Sequence, residues 1–181
     1  MPLYVVGKDE GNDEVRRIGA LIREGAMAFL RREYAILAVF VVVIFIILIG
    51  FIDYNVLGND LIDTLHEGTV ERIGQGPWTA ISYLAGAIGS GLAGFIGMSI
   101  AVRANTRTAT TAASGLNAAL SVAFRSGAVM GMVVVGIGII GVTALWWIFQ
   151  DPSIVAGFGF GASSIALFAR VGGGIYTKAA D

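Results

Sequence analysis

The sequence has 181 residues, of which 56% are hydrophobic and 14% charged, with a net charge of −1 and a mean hydropathy of +0.78. Soluble domains carry nearer a quarter charged residues, so this composition points to a chain whose apolar surface meets lipid. It has no cysteine and one histidine, His66, which excludes disulfide frameworks and thiolate or histidine-rich metal sites, and no basic cluster is interleaved with aromatics as a nucleic-acid surface would be.

The first six residues are too short for the apolar core of a signal peptide, and the acidic stretch GKDEGNDE follows at once. Entry to the membrane is therefore expected to rest on later segments. Residues 14–34 place Ile18, Ile22, Gly25 and Phe29 on one helical face, with Arg16, Arg17, Arg23, Arg31 and Arg32 on the rest. This predicts an amphipathic interfacial helix running into a span. Uncharged apolar runs then predict four spans, at about 35–52, 78–102, 127–149 and 154–176. The third ends in Trp146 and Trp147, like an aromatic belt, and Asp151-Pro152 is expected to break it from the fourth. The expected architecture is an all-α, polytopic transmembrane helical protein forming a single membrane domain over 1–181.

Charge sets the expected orientation. Lys8, the five arginines of the first helix, Arg103, Arg107, Arg125 and Lys178 all fall on one side, whereas the other side holds only Arg72 and is acidic. By the positive-inside rule both termini of the chain are expected to be cytoplasmic. Small residues recur at spacing four, at Gly86, Ser90 and Gly94, at Ala93 and Gly97, and at Gly127 and Gly131. Such spacing lets helix backbones touch in lipid, and packing is the expected role of each.

One charge falls inside a predicted span, Arg170. An intramembrane arginine costs at least about 2.5–3.5 kcal/mol on insertion scales, so it is expected to face protein or water beside an anionic partner. No acidic residue of the other three spans is placed to be that partner, which puts it on another helix or subunit. At 100° per residue, Ser163, Thr177 and Asp181 each project within about 20° of Arg170, provided that Gly172-Gly173-Gly174 leaves the helix straight. The polar stripe rises from Arg170 to Lys178 and Asp181, about 12–16 Å higher. It suits an ion path with a chemical site at its mouth. On geometry alone, a snorkelling Lys178 and a solvated Asp181 explain the same residues.

The segment FGFGASSIALFARVGGGIYTKAAD, above all RVGGGIYTKAAD, resembles a core helix of the membrane-bound, ion-translocating inorganic pyrophosphatases. IREGAMAFLRREY before a span and GMSIAVRANTRTATTAA after the next resemble that family too, in the same order. The resemblance implies hydrolysis of pyrophosphate at a cytoplasmic, magnesium-loaded site, with protons or sodium ions pumped across the membrane by a homodimer. It implies that Lys178 binds the pyrophosphate, that Asp181 is a catalytic carboxylate near the metals and the attacking water, and that Arg170 lines the coupling path. Mg²⁺ is the implied cofactor, potassium activation is left open, and lipid and pyrophosphate are the implied partners, with no nucleic acid. A cell membrane is the expected location, or a vacuolar or acidocalcisomal one in a eukaryote.

Two features depart from the family pattern. A first transmembrane helix is reduced here to Leu3-Tyr4-Val5-Val6, and the chain stops at Asp181 where the family continues with further acidic motifs. The expectation is therefore an N-terminal portion of such a pump, inactive by itself, since one lysine and one aspartate do not hold several Mg²⁺ ions and a pyrophosphate. The alternatives are a non-catalytic four-span subunit and a channel or transporter half that oligomerises around the stripe.

Overall fold

The computed structural model describes residues 2–58, 74–176 and 178. Of the described residues 87% are helical and none lies in a strand, so the all-α expectation holds. A short helix α1, Pro2–Val6, precedes three long ones: α2, Asp13–Leu48, α3, Trp78–Ala112, and α4, Leu116–Phe149. The fifth, α5, is Pro152–Arg170. Two π-helical segments, Ile49–Asp53 and Val171–Tyr176, prolong α2 and α5. Among the described residues four helices are long and apolar enough to cross a membrane: Asp13–Asp53, Trp78–Ala112, Leu116–Phe149 and Pro152–Gly174.

The arginine-rich stretch and the apolar run that follows it form one uninterrupted helix, α2. No glycine-proline break separates them, so the change from amphipathic to wholly apolar occurs without a bend signal. Helices α3 and α4 likewise continue beyond the apolar runs, through the polar residues 103–112 and 116–126. Asp151 and Pro152 do end one helix and start the next. The Asp151 carboxylate caps α5 by accepting from the Ser153 N–H at 2.7 Å, and Pro152 occupies the first turn, where its missing N–H costs nothing.

The chain divides into two compact units, Met1–Arg32 with Leu92–Gly136, and Glu33–Gly91 with Ile137–Asp181. In the first, the N-terminal segment is strapped onto the end of α3. The Arg107 guanidinium, 7% exposed, pairs with Glu10 at 2.8 Å and donates to the Lys8 and Arg103 carbonyls. The Thr110 hydroxyl donates to the Glu10 carbonyl at 3.0 Å. Below this strap Val5 packs with Ala104 and Val122, and the Arg125 guanidinium lies 3.9 Å from the centroid of the Tyr4 ring. Arginine suits the site because its planar fork serves several acceptors at once.

The second unit rests on a close approach of α3 and α5. A Cβ at Gly86 would run into the Phe158 carbonyl, and one at Gly161 into the Tyr83 carbonyl. A third, at Gly157, would lie 2.9 Å from the Thr79 carbonyl oxygen. Only glycine lets the two backbones come this near. The Ser82 hydroxyl, fully buried, donates to the Ile154 carbonyl at 2.6 Å across the same contact. Helix α2 then closes over it through Leu37 and Val41, which share a core with Tyr83, Ala87 and Ile165. The Asp53 carboxylate accepts from the Thr79 and Ala80 N–H groups, each at 2.9 Å, and so ties the end of the first span to the start of α3.

The small-residue expectation holds unevenly. Gly86 sits in the α3–α5 contact, and Gly97 faces Met130, whose Cγ would lie 2.7 Å from a Cβ there. Among the described residues Gly127 and Gly131 meet nothing within 4 Å, so on α4 they face no packed neighbour there. The spacing states that a helix can be approached, not that something in this chain approaches it. Gly161→Leu is expected to destabilise the protein by about 1–3 kcal/mol through overpacking, while Gly131→Ala stays within about 0.5 kcal/mol of wild type. Thermal unfolding in one detergent checks both, and equal midpoints for the two variants would show that the contact is not tight. Glu10→Ala is expected to release the strap and expose the first dozen or so residues to limited proteolysis; an unchanged digestion rate would show that Arg107 does not hold it.

Candidate functional site

Arg170 ends α5, and Lys178 follows the segment beyond it. The helix is regular through Arg170 and then widens into the π-helical segment Val171–Tyr176. Its first residues, Val171 followed by Gly172-Gly173-Gly174, carry almost no side-chain bulk to hold an α-helical register, and glycine costs about 1 kcal/mol per residue in a helix interior. Single π turns of this kind are frequent at functional sites. The regular 100° step therefore ends at Arg170, and the angle between Arg170 and Lys178 is set by the wider winding of the segment between them. The projection of a straight polar stripe rests on that regular step, which the π-helical segment interrupts at Val171.

Arg170 is exposed, and among the described residues it forms no ion pair. The described part of the chain thus offers no anionic partner to its guanidinium. Lys178 is also exposed. Asp181 and Thr177 lie outside the described residues. Ser163 is exposed on α5, whereas Ser164 beside it is buried, its hydroxyl donating to the Phe160 carbonyl at 2.7 Å. The helix therefore presents one face to α3 and carries Ser163 and Arg170 on surface that the described residues leave open.

One residue at the site escaped the sequence reading. Glu33, near the middle of α2, brings its carboxyl group against Gly172, where a Cβ would lie 3.1 Å from Oε1. That oxygen is buried and has no hydrogen-bond partner among the described residues. Its sequence signal was present but weak: Glu33 falls four residues before Leu37, on the stripe of α2 that enters the core. It does not pair with Arg170, because residues two apart on a helix do not share a face and Glu33 meets Gly172.

The arrangement leaves two cationic side chains, Arg170 and Lys178, exposed. A divalent-cation site is a different matter. Among the described residues no group of three acidic or histidine side chains converges, so these residues do not by themselves hold magnesium, which takes several oxygen ligands.

Known proteins resemble this chain along nearly its whole length. The chain is 42% identical over 177 residues to a K(+)-insensitive pyrophosphate-energized proton pump of Methanosarcina mazei, covering 98% of this chain and 23% of the relative. It is 43% identical over 179 residues to a putative K(+)-stimulated pyrophosphate-energized sodium pump of Clostridium tetani, again covering 98% and 23%. A K(+)-insensitive pyrophosphate-energized proton pump of Caldanaerobacter subterraneus is 40% identical over 189 residues, covering 98% and 26%. The chain thus spans about a quarter of the length of the curated relatives it matches. No solved structure matches it. Residues 2–181 match the family model described as inorganic H+ pyrophosphatase, and the chain belongs to that family.

Proposed function

We propose that this chain is the N-terminal portion of a membrane-bound pyrophosphatase that couples pyrophosphate hydrolysis on the cytoplasmic side to the movement of protons or sodium ions. The observation that carries the reading is the end of α5, where Arg170 and Lys178 flank a π-helical glycine segment and stand exposed, without an ion pair among the described residues. A pyrophosphate is a dense polyanion, and a lysine ammonium at the site offsets its charge while water attacks. Lys178 is its proposed ligand, and Asp181 the proposed carboxylate near the attacking water. Arg170 would sit below them in the coupling path, paired with a carboxylate of another helix, since an unpaired arginine is costly at membrane depth.

The proposed spans are 35–52, 78–102, 127–149 and 154–176, with 14–34 at the interface, in one membrane domain with both ends of the chain cytoplasmic. The first compact unit supports that orientation: Lys8, Arg103, Arg107 and Arg125 all belong to it, as the positive-inside rule requires of residues on one side. Magnesium, a homodimeric assembly and a cell membrane belong to the same proposal. The relatives include both K(+)-insensitive and K(+)-stimulated pumps, and both proton and sodium pumps, so neither the ion nor a potassium requirement is assigned here.

Hydrolysis by the intact protein in the presence of Mg²⁺ tests the reading. Lys178→Ala is expected to raise the KM for pyrophosphate about tenfold or more, the effect of removing a charged hydrogen bond to substrate, and Arg170→Ala to depress ion transport more than hydrolysis. A Lys178→Ala protein with wild-type kinetics would remove Lys178 from the site. The purified 181-residue chain is expected to release no phosphate from pyrophosphate above the blank rate. Steady Mg²⁺-dependent turnover by that chain alone would contradict the division of the site between this chain and other helices.

A further inference from the structure

The face of α2 that packs on α5 begins with an acid. Leu37 and Val41 share a core with Ile165, and Phe40 meets Phe168 with ring centroids 4.5 Å apart. One turn before Leu37, the same stripe presents Glu33, and one turn beyond Phe168, α5 presents Gly172. These two close the seam. Glu33 Oε1 is sealed from solvent with no hydrogen-bond partner among the described residues. A Cβ on Gly172 would lie 3.1 Å from that oxygen and 3.9 Å from the carboxyl carbon, whereas one on Gly174 would meet nothing within 4 Å.

Packing alone does not account for an acid in this position. A leucine would continue the apolar stripe, while a buried acceptor left without a donor costs about 1–3 kcal/mol. The group sits against the one stretch of α5 that leaves α-helical winding, between Arg170 and Lys178. Whatever fixes that winding fixes how the two cations are aimed relative to each other.

We propose that Glu33 is a positioning residue for ion coupling: its carboxyl group fills the space over Gly172 and holds the π-helical segment that separates Arg170 from Lys178. The proposal rests on the pump reading, in which those two residues belong to the coupling path and the pyrophosphate site. It makes Glu33 act by filling that space against the segment, and not as the counter-charge of Arg170.

The test uses the intact protein in sealed lipid vesicles, with pyrophosphate hydrolysis and ion transport measured on one preparation. Glu33→Ala is expected to lower the ions moved per pyrophosphate at least about threefold, with hydrolysis within about twofold of wild type. Glu33→Gln, which keeps the shape and the polar head, restores most of the coupling. Gly172→Ala reproduces the defect, and Glu33→Ala combined with Gly172→Ala is no worse than either alone, because both disturb one contact. Unaltered coupling in Glu33→Ala, a Glu33→Gln as defective as the alanine variant, or additive losses in the double variant would each overturn the proposal. The two readings separate cleanly: a wild-type protein without hydrolysis or transport defeats the pump reading and this one with it, whereas wild-type pumping unaffected by Glu33→Ala defeats this one alone.

Discussion

The backbone contact between α3 and α5 is the constraint on which the second unit depends. In a bilayer, apolar side chains gain nothing by leaving lipid for one another, so helices associate through close van der Waals contact and interhelical hydrogen bonds. Gly86, Gly157 and Gly161 bring the two backbones together, and the Ser82 hydroxyl closes a hydrogen bond to the Ile154 carbonyl within the contact. Tyr83 is wholly buried as a result, and its ring meets Phe160 with centroids 5.3 Å apart. With α5 fixed in this way, α2 has a surface on which to lay Leu37, Phe40 and Val41. The end of α5 that carries Arg170 is thereby held through the helix's own first half.

A second constraint acts in the first unit, and it is electrostatic. Arg107 is among the few buried charges, and it is tolerable because Glu10 and two backbone carbonyls surround its guanidinium. The strap it holds brings Lys8 into the same unit as Arg103 and Arg125. That grouping of positive charge matches what the orientation rule asks of a single membrane face.

Much of the architecture was readable from residue pattern. Four long apolar helices, the Asp151-Pro152 break and the packing role of Gly86 each follow from local chemistry that little else can override: hydropathy over some twenty residues, a ring without an N–H, and a missing side chain. The unread parts are those that depend on what lies across from a residue. Gly127 and Gly131 carry the same spacing as the packed glycines but face no packed neighbour among the described residues. The π winding of Val171–Tyr176 could be suspected from three glycines but not assigned, since glycine permits a change of register without dictating one. The place of Glu33 was not legible, because its contact with Gly172 spans more than a hundred residues of sequence. At the site, Arg170 and Lys178 were picked out by their chemistry and by the family resemblance, and the structure adds their exposure and the segment between them.

On the proposed function, this family member is part of a machine that converts phosphoanhydride energy into an ion gradient. The central claim is that ion movement through the protein depends on pyrophosphate. The most direct test is ion flux into sealed vesicles bearing the intact protein, measured with Mg²⁺ present and with pyrophosphate added or withheld. The account predicts transport of protons or sodium ions that starts on addition of pyrophosphate and stops when it is consumed. Flux that runs down its gradient equally well without pyrophosphate would contradict it and would mark the protein as a channel.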